Sequence, residues 1–187
     1  MKRSISVRSM PLVVLMHDAL WSFRRGFLER AERICGHINT SSPENYHALH
    51  LLGLIQLQRG DAAGAADFIR RTIASDPDHP DRADILTNYG LVLRTLDRPQ
   101  ESLEAHEAAL EAYAASIEAF PGAPQTFLAR ARLHAIMGRL EDAKADWRTT
   151  RTMDPSAAEE DFQLLIDNFA PQLPGGIILG LVLSPRA

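Results

Sequence analysis

Equivalent residues recur along the chain at a spacing of 34 positions. Three pairs show this spacing: Gly26 and Gly60, Ala31 and Ala65, Pro43 and Pro77. A fixed period between about 20 and 50 residues is typical of repeat proteins, in which each unit buries its apolar face only by stacking on the next. The sequence therefore predicts an array of similar units rather than one irregular core.

The period extends through four units. With short insertions near 78–82 and 116–123, the predicted spans are 12–45, 46–79, 83–116 and 124–157. Each unit is predicted to form two helices. In the second unit a leucine-rich helix (46–59) is followed by a turn at Gly60 and a second helix (62–75), which Pro77 ends because proline cannot continue a helix.

Small residues occupy two positions of every unit, which predicts close approach of the paired helices at these points. The eighth position holds Ala19, Gly53, Gly90 and Ala131, and the twentieth holds Ala31, Ala65, Ser102 and Ala143. The third unit differs from the others. Asp97 replaces the turn glycine and no closing proline follows, so its second helix is predicted to run from Gln100 to about Phe120.

These features resemble the tetratricopeptide repeat family over Leu12 to Pro155. The resemblance implies an all-α fold, a right-handed α-solenoid of antiparallel helix pairs. One family feature is missing, because the usual aromatic residue of the eleventh position is replaced by Ser22, Gln56, Leu93 and His134.

The ends of the chain lie outside the repeats. Residues 1–11 form a short N-terminal tail, and 156–170 are predicted to form a capping helix, with acidic residues at its start and an apolar stripe after them. Residues 171–187 form an apolar tail whose core, Ile177–Leu183, is too short to span a membrane. His17 interrupts the first apolar run, so no secretory signal is expected.

Composition narrows the functional class. In 187 residues, 45% are hydrophobic and 24% charged, which excludes a disordered or multi-span membrane chain. The net charge of −4 gives no support for nucleic-acid binding. The single cysteine, Cys35, excludes an internal disulfide and fits a reducing compartment, so a cytoplasmic location is expected.

The sequence predicts no enzyme. His47 and His50 could bring two imidazoles together, but no third metal ligand has a defined place. Cys35 falls at a core-facing position, and Gly175 and Gly176 are not followed by the helix and lysine of a phosphate-binding loop. We expect no catalytic residue, no metal and no cofactor.

The resemblance implies instead a protein-binding groove lined by the first helix of each unit. The candidate groove residues are Met16, Leu20, Phe23, Arg24, His47, His50, Leu54, Leu57, Thr87, Asn88, Leu91, Arg94, Gln125, Leu128 and Arg132. The family's clamp for chaperone C-termini is missing, since Met16 and Leu20 stand at two of its polar positions. Arg94 and Arg132 favour a partner segment with acidic or amphipathic character.

The sequence also leaves two alternative functions open. His50–Pro77 and Asn88–Leu93 resemble bacterial repeat arrays that precede O-linked N-acetylglucosamine transferase-like or sulfotransferase-like domains, which would make the chain a substrate-presenting arm without its catalytic part. Alternatively, Ile177–Leu183 could fold over the groove or pair between protomers in a structural homo-oligomer.

Overall fold

The computed structural model describes residues 11–156. These residues form eight α-helices and no strand. The helices are α1 (Leu12–Arg24), α2 (Leu28–Ser41), α3 (Tyr46–Gln58), α4 (Ala62–Ser75), α5 (Arg82–Thr95), α6 (Pro99–Ala119), α7 (Pro124–Ile136) and α8 (Leu140–Met153). The all-α class and the predicted helix pairs are confirmed for this part of the chain. The predicted capping helix and the C-terminal tail lie outside the described residues.

Local sequence signals set several helix starts. The Asn45 side chain accepts a hydrogen bond from the Ala48 amide at 3.0 Å, and Asp61 accepts one from Gly64 at 2.9 Å, so α3 and α4 both begin at a side-chain cap. Helices α6 and α7 begin with proline, whose fixed φ suits the first helical position.

One turn geometry is repeated inside all four helix pairs. In each turn a backbone N–H donates to the carbonyl five residues before it, with N–O distances of 2.8–3.0 Å. The residue directly before the donor has a positive φ. Glycine takes this place three times, at Gly26, Gly60 and Gly138. Asp97 takes it in the third pair, at a φ of 56°. The substitution noticed in the sequence therefore places an aspartate in a backbone region that disfavours side chains.

We expect Asp97→Gly to stabilise the protein. Removal of the side chain relieves the left-handed strain, and the gain should be about 1 kcal/mol after the extra entropy of an unfolded glycine is subtracted. Chemical denaturation of both chains measures the difference. Gly60→Ala is the matched reverse change: it adds a side chain at a φ of 82° with no heavy atom within 4 Å of the new Cβ, and should cost a similar amount. Equal midpoints for Asp97→Gly and the parent chain would contradict the prediction.

The chain divides into two compact units after Pro77, and each is described by itself. In the first unit α1 packs on α2 and α3, α2 packs on α3, and α3 packs on α4. The small residues lie at these contacts as predicted: Ala19 and Ala31 are fully buried, and a Cβ on Gly53 would lie 2.9 Å from Ile69 Cγ1. Cys35 is also fully buried in this core.

In the second unit α5 packs on α6, α6 on α7, and α7 on α8. Gly90 lies directly against the ring of His106, and the buried Ser102 hydroxyl donates to the Gly90 carbonyl at 2.7 Å. A cluster of three alanines and Trp147 joins α7 to α8. Helix α6 has 21 residues, against 13 or 14 in the other helices, which agrees with the extension predicted from the missing proline.

Candidate functional site

The candidate groove residues lie on the first helix of each pair but differ in exposure. Those buried in the core are Phe23, Leu54, Thr87, Asn88 and Leu91. Those partly exposed are Met16, Leu20, His50, Leu57, Leu128 and Arg132. Those exposed to solvent are Arg24, His47, Arg94 and Gln125. A partner can therefore reach the second and third groups without any movement of the helices, whereas the first group can act only through packing.

In the first unit, the accessible candidates combine apolar and basic groups. Met16 and Leu20 are partly exposed along α1, and Arg24 is exposed in its last turn, where a cation also interacts favourably with the helix dipole. On α3, His47 is exposed and its ring meets that of Tyr46 edge-on, with 5.4 Å between centroids.

Residues suited to chemistry show no metal-binding arrangement in the part of the chain that the structure describes. Between residues 11 and 156, no group of three or more His, Cys, Asp or Glu side chains has an arrangement that could hold a metal ion. Burial, with a smaller contribution from Glu32, raises the pKa of Cys35 to about 12. A thiol that stays protonated is a poor nucleophile, which supports a structural role for this residue.

In the second unit, a hydrogen bond between two polar side chains joins α5 to α6. The Tyr113 hydroxyl of α6 donates to the Asp84 carboxylate of α5. Burial, together with the nearby Asp84 charge, raises the pKa of Tyr113 well above its ordinary value, while Thr87 and Arg132 act in the opposite direction. The hydrogen bond joins the start of α5 to α6, and the positive charge of Arg132 on α7 favours the ionised form of Tyr113.

Arg94 is the most accessible basic group on α5. It lies in the last turn of the helix, is exposed, and has no ion pair within residues 11–156. The neighbouring Asn88 differs: its side chain is fully buried, and neither amide atom has a hydrogen-bond partner in the described part of the chain. Arg94 can contact a partner directly, whereas Asn88 would first have to change its rotamer.

Sequence reasoning missed several polar groups of the second helices. Tyr113 and His106 of α6 face the core, and Asp146 of α8 holds Arg130 of α7 through two hydrogen bonds of 2.7 Å. The available signal was His106 itself, which stands at the position where the other units carry Cys35, Ile69 and Trp147. Of the two arginines on α7, Arg130 is therefore bound to α8, whereas Arg132 is the candidate groove residue.

No helix among the described residues is long and apolar enough to cross a membrane.

Comparisons with known proteins are informative about the fold. A family model described as tetratricopeptide repeat matches residues 23–80. A tetratricopeptide repeat protein of Thermus thermophilus, TTC0263, shares 18% identity and a TM-score of 0.61, covering 80% of each chain. The Cut9–Hcn1 hetero-tetramer of APC/C gives a TM-score of 0.55 at 13% identity, covering 82% of this chain and 29% of that one. No curated protein matches the sequence.

An O-GlcNAc transferase of Thermobaculum terrenum is also similar, at 26% identity, but with a TM-score of 0.47 and coverage of 78% of this chain and 25% of that one. A TM-score under 0.5 does not establish a shared arrangement, so the transferase-arm alternative stays a prediction. The match to the tetratricopeptide repeat model covers residues 23–80, and the structures with TM-scores above 0.5 show that the described residues have a helical-repeat fold.

Proposed function

We propose that the chain is a non-catalytic scaffold in the cytoplasm that binds a partner protein segment along the first helices of its repeats. The observation that carries the proposal is Arg94, an exposed guanidinium on a first helix with no ion pair in the described part of the chain. Fold alone does not assign a partner, so the proposal depends on this chemistry rather than on the family.

The second unit favours an acidic segment. Arg94 presents a planar set of donors that can bind a carboxylate through two hydrogen bonds. Arg132 is partly exposed on α7, and Gln125 is exposed on the same helix. All three side chains lie on helices, so the backbone that carries them is already ordered before a partner binds.

A charge reversal at Arg94 tests the proposal. The parent chain, Arg94→Glu and Arg148→Glu are immobilised separately, and the proteins retained from a cell lysate are identified by mass spectrometry. Arg148 is the matched control, because it is an exposed arginine of a second helix and also has no ion pair among the described residues. We expect a partner retained by the parent and the control to be weakened about tenfold or more by Arg94→Glu, which corresponds to roughly 1.4 kcal/mol.

Circular dichroism first confirms that all three chains have equal helix content. Retention of the same partners by all three would contradict a role for Arg94. Loss of a partner in the Arg148→Glu chain alone would place binding on the second helices and overturn the groove proposal.

A further inference from the structure

Among the described residues, α1 exposes a face whose counterparts on α3, α5 and α7 are buried. Trp21 occupies the tenth position of its unit and is 42% exposed, whereas the residues at the tenth position of the next three units, Ile55, Val92 and Leu133, are each 0% exposed. Phe27, at the turn after α1, is 51% exposed, and its ring lies 6.0 Å from that of Trp21. Two adjacent aromatic rings in water are an unusual surface for a protein to leave bare.

Within the first unit, the contact between α2 and α3 shows how such a face is covered. Arg59 directly follows α3, and its guanidinium pairs with Glu32 at 2.9 Å and with Glu29 at 3.6 Å. Both glutamates belong to the first two turns of α2, and Glu32 also accepts a hydrogen bond from Gln56 at 3.3 Å. Helix α3 is thus covered by a helix that presents Glu29 and Glu32 to Arg59, although its first two turns also carry Arg30 and Arg33.

Helix α1 carries the same cation without the acidic helix. Arg25 holds the position in its unit that Arg59 holds in the next. Its guanidinium lies 5.5 Å from the Trp21 ring centroid, and it has no ion pair among the described residues. The other arginine beside this ring, Arg30, is already bound to Asp18 by two hydrogen bonds of 2.8 and 2.9 Å. Arg25 is therefore available to an incoming carboxylate.

We propose that this face of α1 binds residues 157–169 of a second copy of the chain, in the place that α2 takes on α3. The sequence of that segment repeats the apolar spacing of α2 and its first glutamate, while Gln163 stands where α2 has Glu32. In α2, Glu29 is followed by apolar residues two, five, six and nine positions later; in the segment, Glu160 is followed by apolar residues at the same offsets. The two sets are Ala31, Ile34, Cys35 and Ile38, and Phe162, Leu165, Ile166 and Phe169.

Charge complementarity selects this occupant. The segment contains Glu159, Glu160, Asp161 and Asp167 and no lysine or arginine. The face that receives it carries the exposed Arg25 beside the Trp21 ring. The segment is the one that the sequence predicts as a cap, and in this arrangement it caps the array of the neighbouring copy. Because one copy gives its C-terminal segment and the other its N-terminal helix, the contact is heterologous and leads to rings or open chains.

Size-exclusion chromatography with light scattering tests the assembly on the full chain, over loading concentrations from about 1 to 100 μM. We expect the mass to rise with concentration, and Arg25→Glu or Glu160→Arg to raise the dissociation constant at least tenfold. The double variant carrying both changes should recover most of the assembly, because the two charges are exchanged. Arg33→Glu, an exposed arginine of α2 without an ion pair in the described residues, is the control and should assemble like the parent.

Trp21 fluorescence gives a second measurement. In a Trp147→Phe background Trp21 is the only tryptophan, and its emission should shift to shorter wavelength as the concentration rises. A monomer at every concentration, or assembly that neither charge reversal weakens, overturns the proposal. Trp21 emission that is already blue-shifted in a monomer also overturns it, since the cover would then come from the same chain.

Discussion

Gly90→Ala should be the most damaging single-methyl substitution among the helical glycines. A Cβ built on Gly90 overlaps Cδ2 and Nε2 of His106, whose ring is 4% exposed and has little room to move. Overpacking of this kind costs about 3 kcal/mol, and the better helix propensity of alanine returns about 1 kcal/mol. We expect a net loss of about 2 kcal/mol or more in the free energy of unfolding, measured by chemical denaturation.

Two other helical glycines provide graded controls for this prediction. A Cβ on Gly53 lies 2.9 Å from Cγ1 of the buried Ile69, a longer contact than the 2.2 Å at Gly90, so Gly53→Ala should cost less than Gly90→Ala. A Cβ on Gly36 has no neighbour within 4 Å, so Gly36→Ala should stabilise α2 by about 1 kcal/mol. We therefore expect the free energy of unfolding to decrease in the order Gly36→Ala, Gly53→Ala, Gly90→Ala.

The double variant Gly90→Ala/His106→Ala should recover stability relative to Gly90→Ala, because the overlapping ring is removed. Failure to recover would show that Gly90 matters for another reason.

The need for small residues at Gly90 and its equivalents could be predicted from sequence, because it follows from the repeat itself. Paired helices cross at the same point in every unit, so the restriction recurs at the repeat spacing. The identity of the opposing group could not be predicted. Each unit could place a different side chain there, and the side chain in the third unit is His106, one of many polar residues on α6.

At the Asp97 turn, too, the sequence predicts the position of the turn but not its backbone conformation. The sequence places Asp97 at the turn position, and the missing proline predicts the long α6. The left-handed backbone conformation follows only from the hydrogen bond between the Arg98 amide and the Leu93 carbonyl, at 3.0 Å, which fixes the shape of the turn. Backbone geometry at an unusual residue depends on the packing of both flanking helices.

The candidate groove was predictable as a set of helix positions but not as a surface. Phe23, Thr87 and Leu91 hold groove positions of the repeat pattern and are nevertheless buried, because the rotation of each helix about its axis decides which side chain reaches solvent. Hydrogen bonds between polar residues far apart in the sequence could not be predicted either. Tyr113 bonds Asp84 from 29 residues away, and the sequence offers no spacing rule for such pairs.

Acid should destabilise the protein through His106. Burial, strengthened by the charge of Arg94, lowers the pKa of this imidazole to about 4, against its ordinary value of 6.5, while a backbone hydrogen bond with Thr87 and the charge of Glu107 act weakly in the opposite direction. Between these two values the unfolded chain binds a proton that the folded chain excludes. Stability therefore falls as the pH falls from about 6.5 to 4, by roughly 3 kcal/mol at the lower limit.

His106→Gln isolates this contribution, because glutamine keeps a hydrogen-bond donor and does not titrate. The variant is expected to start from a lower free energy of unfolding at pH 7.5, since its side chain fits less well against Gly90, and to lose less on acidification. The difference between the two chains should therefore shrink steadily through this range, as measured by urea denaturation at each pH. His134, whose pKa burial also lowers, is present in both chains and cancels from the comparison. Parallel stability curves would show that the imidazole of His106 becomes protonated in the folded state without cost, and that its ring is less enclosed by α5 and α6 than its contacts with Gly90 indicate.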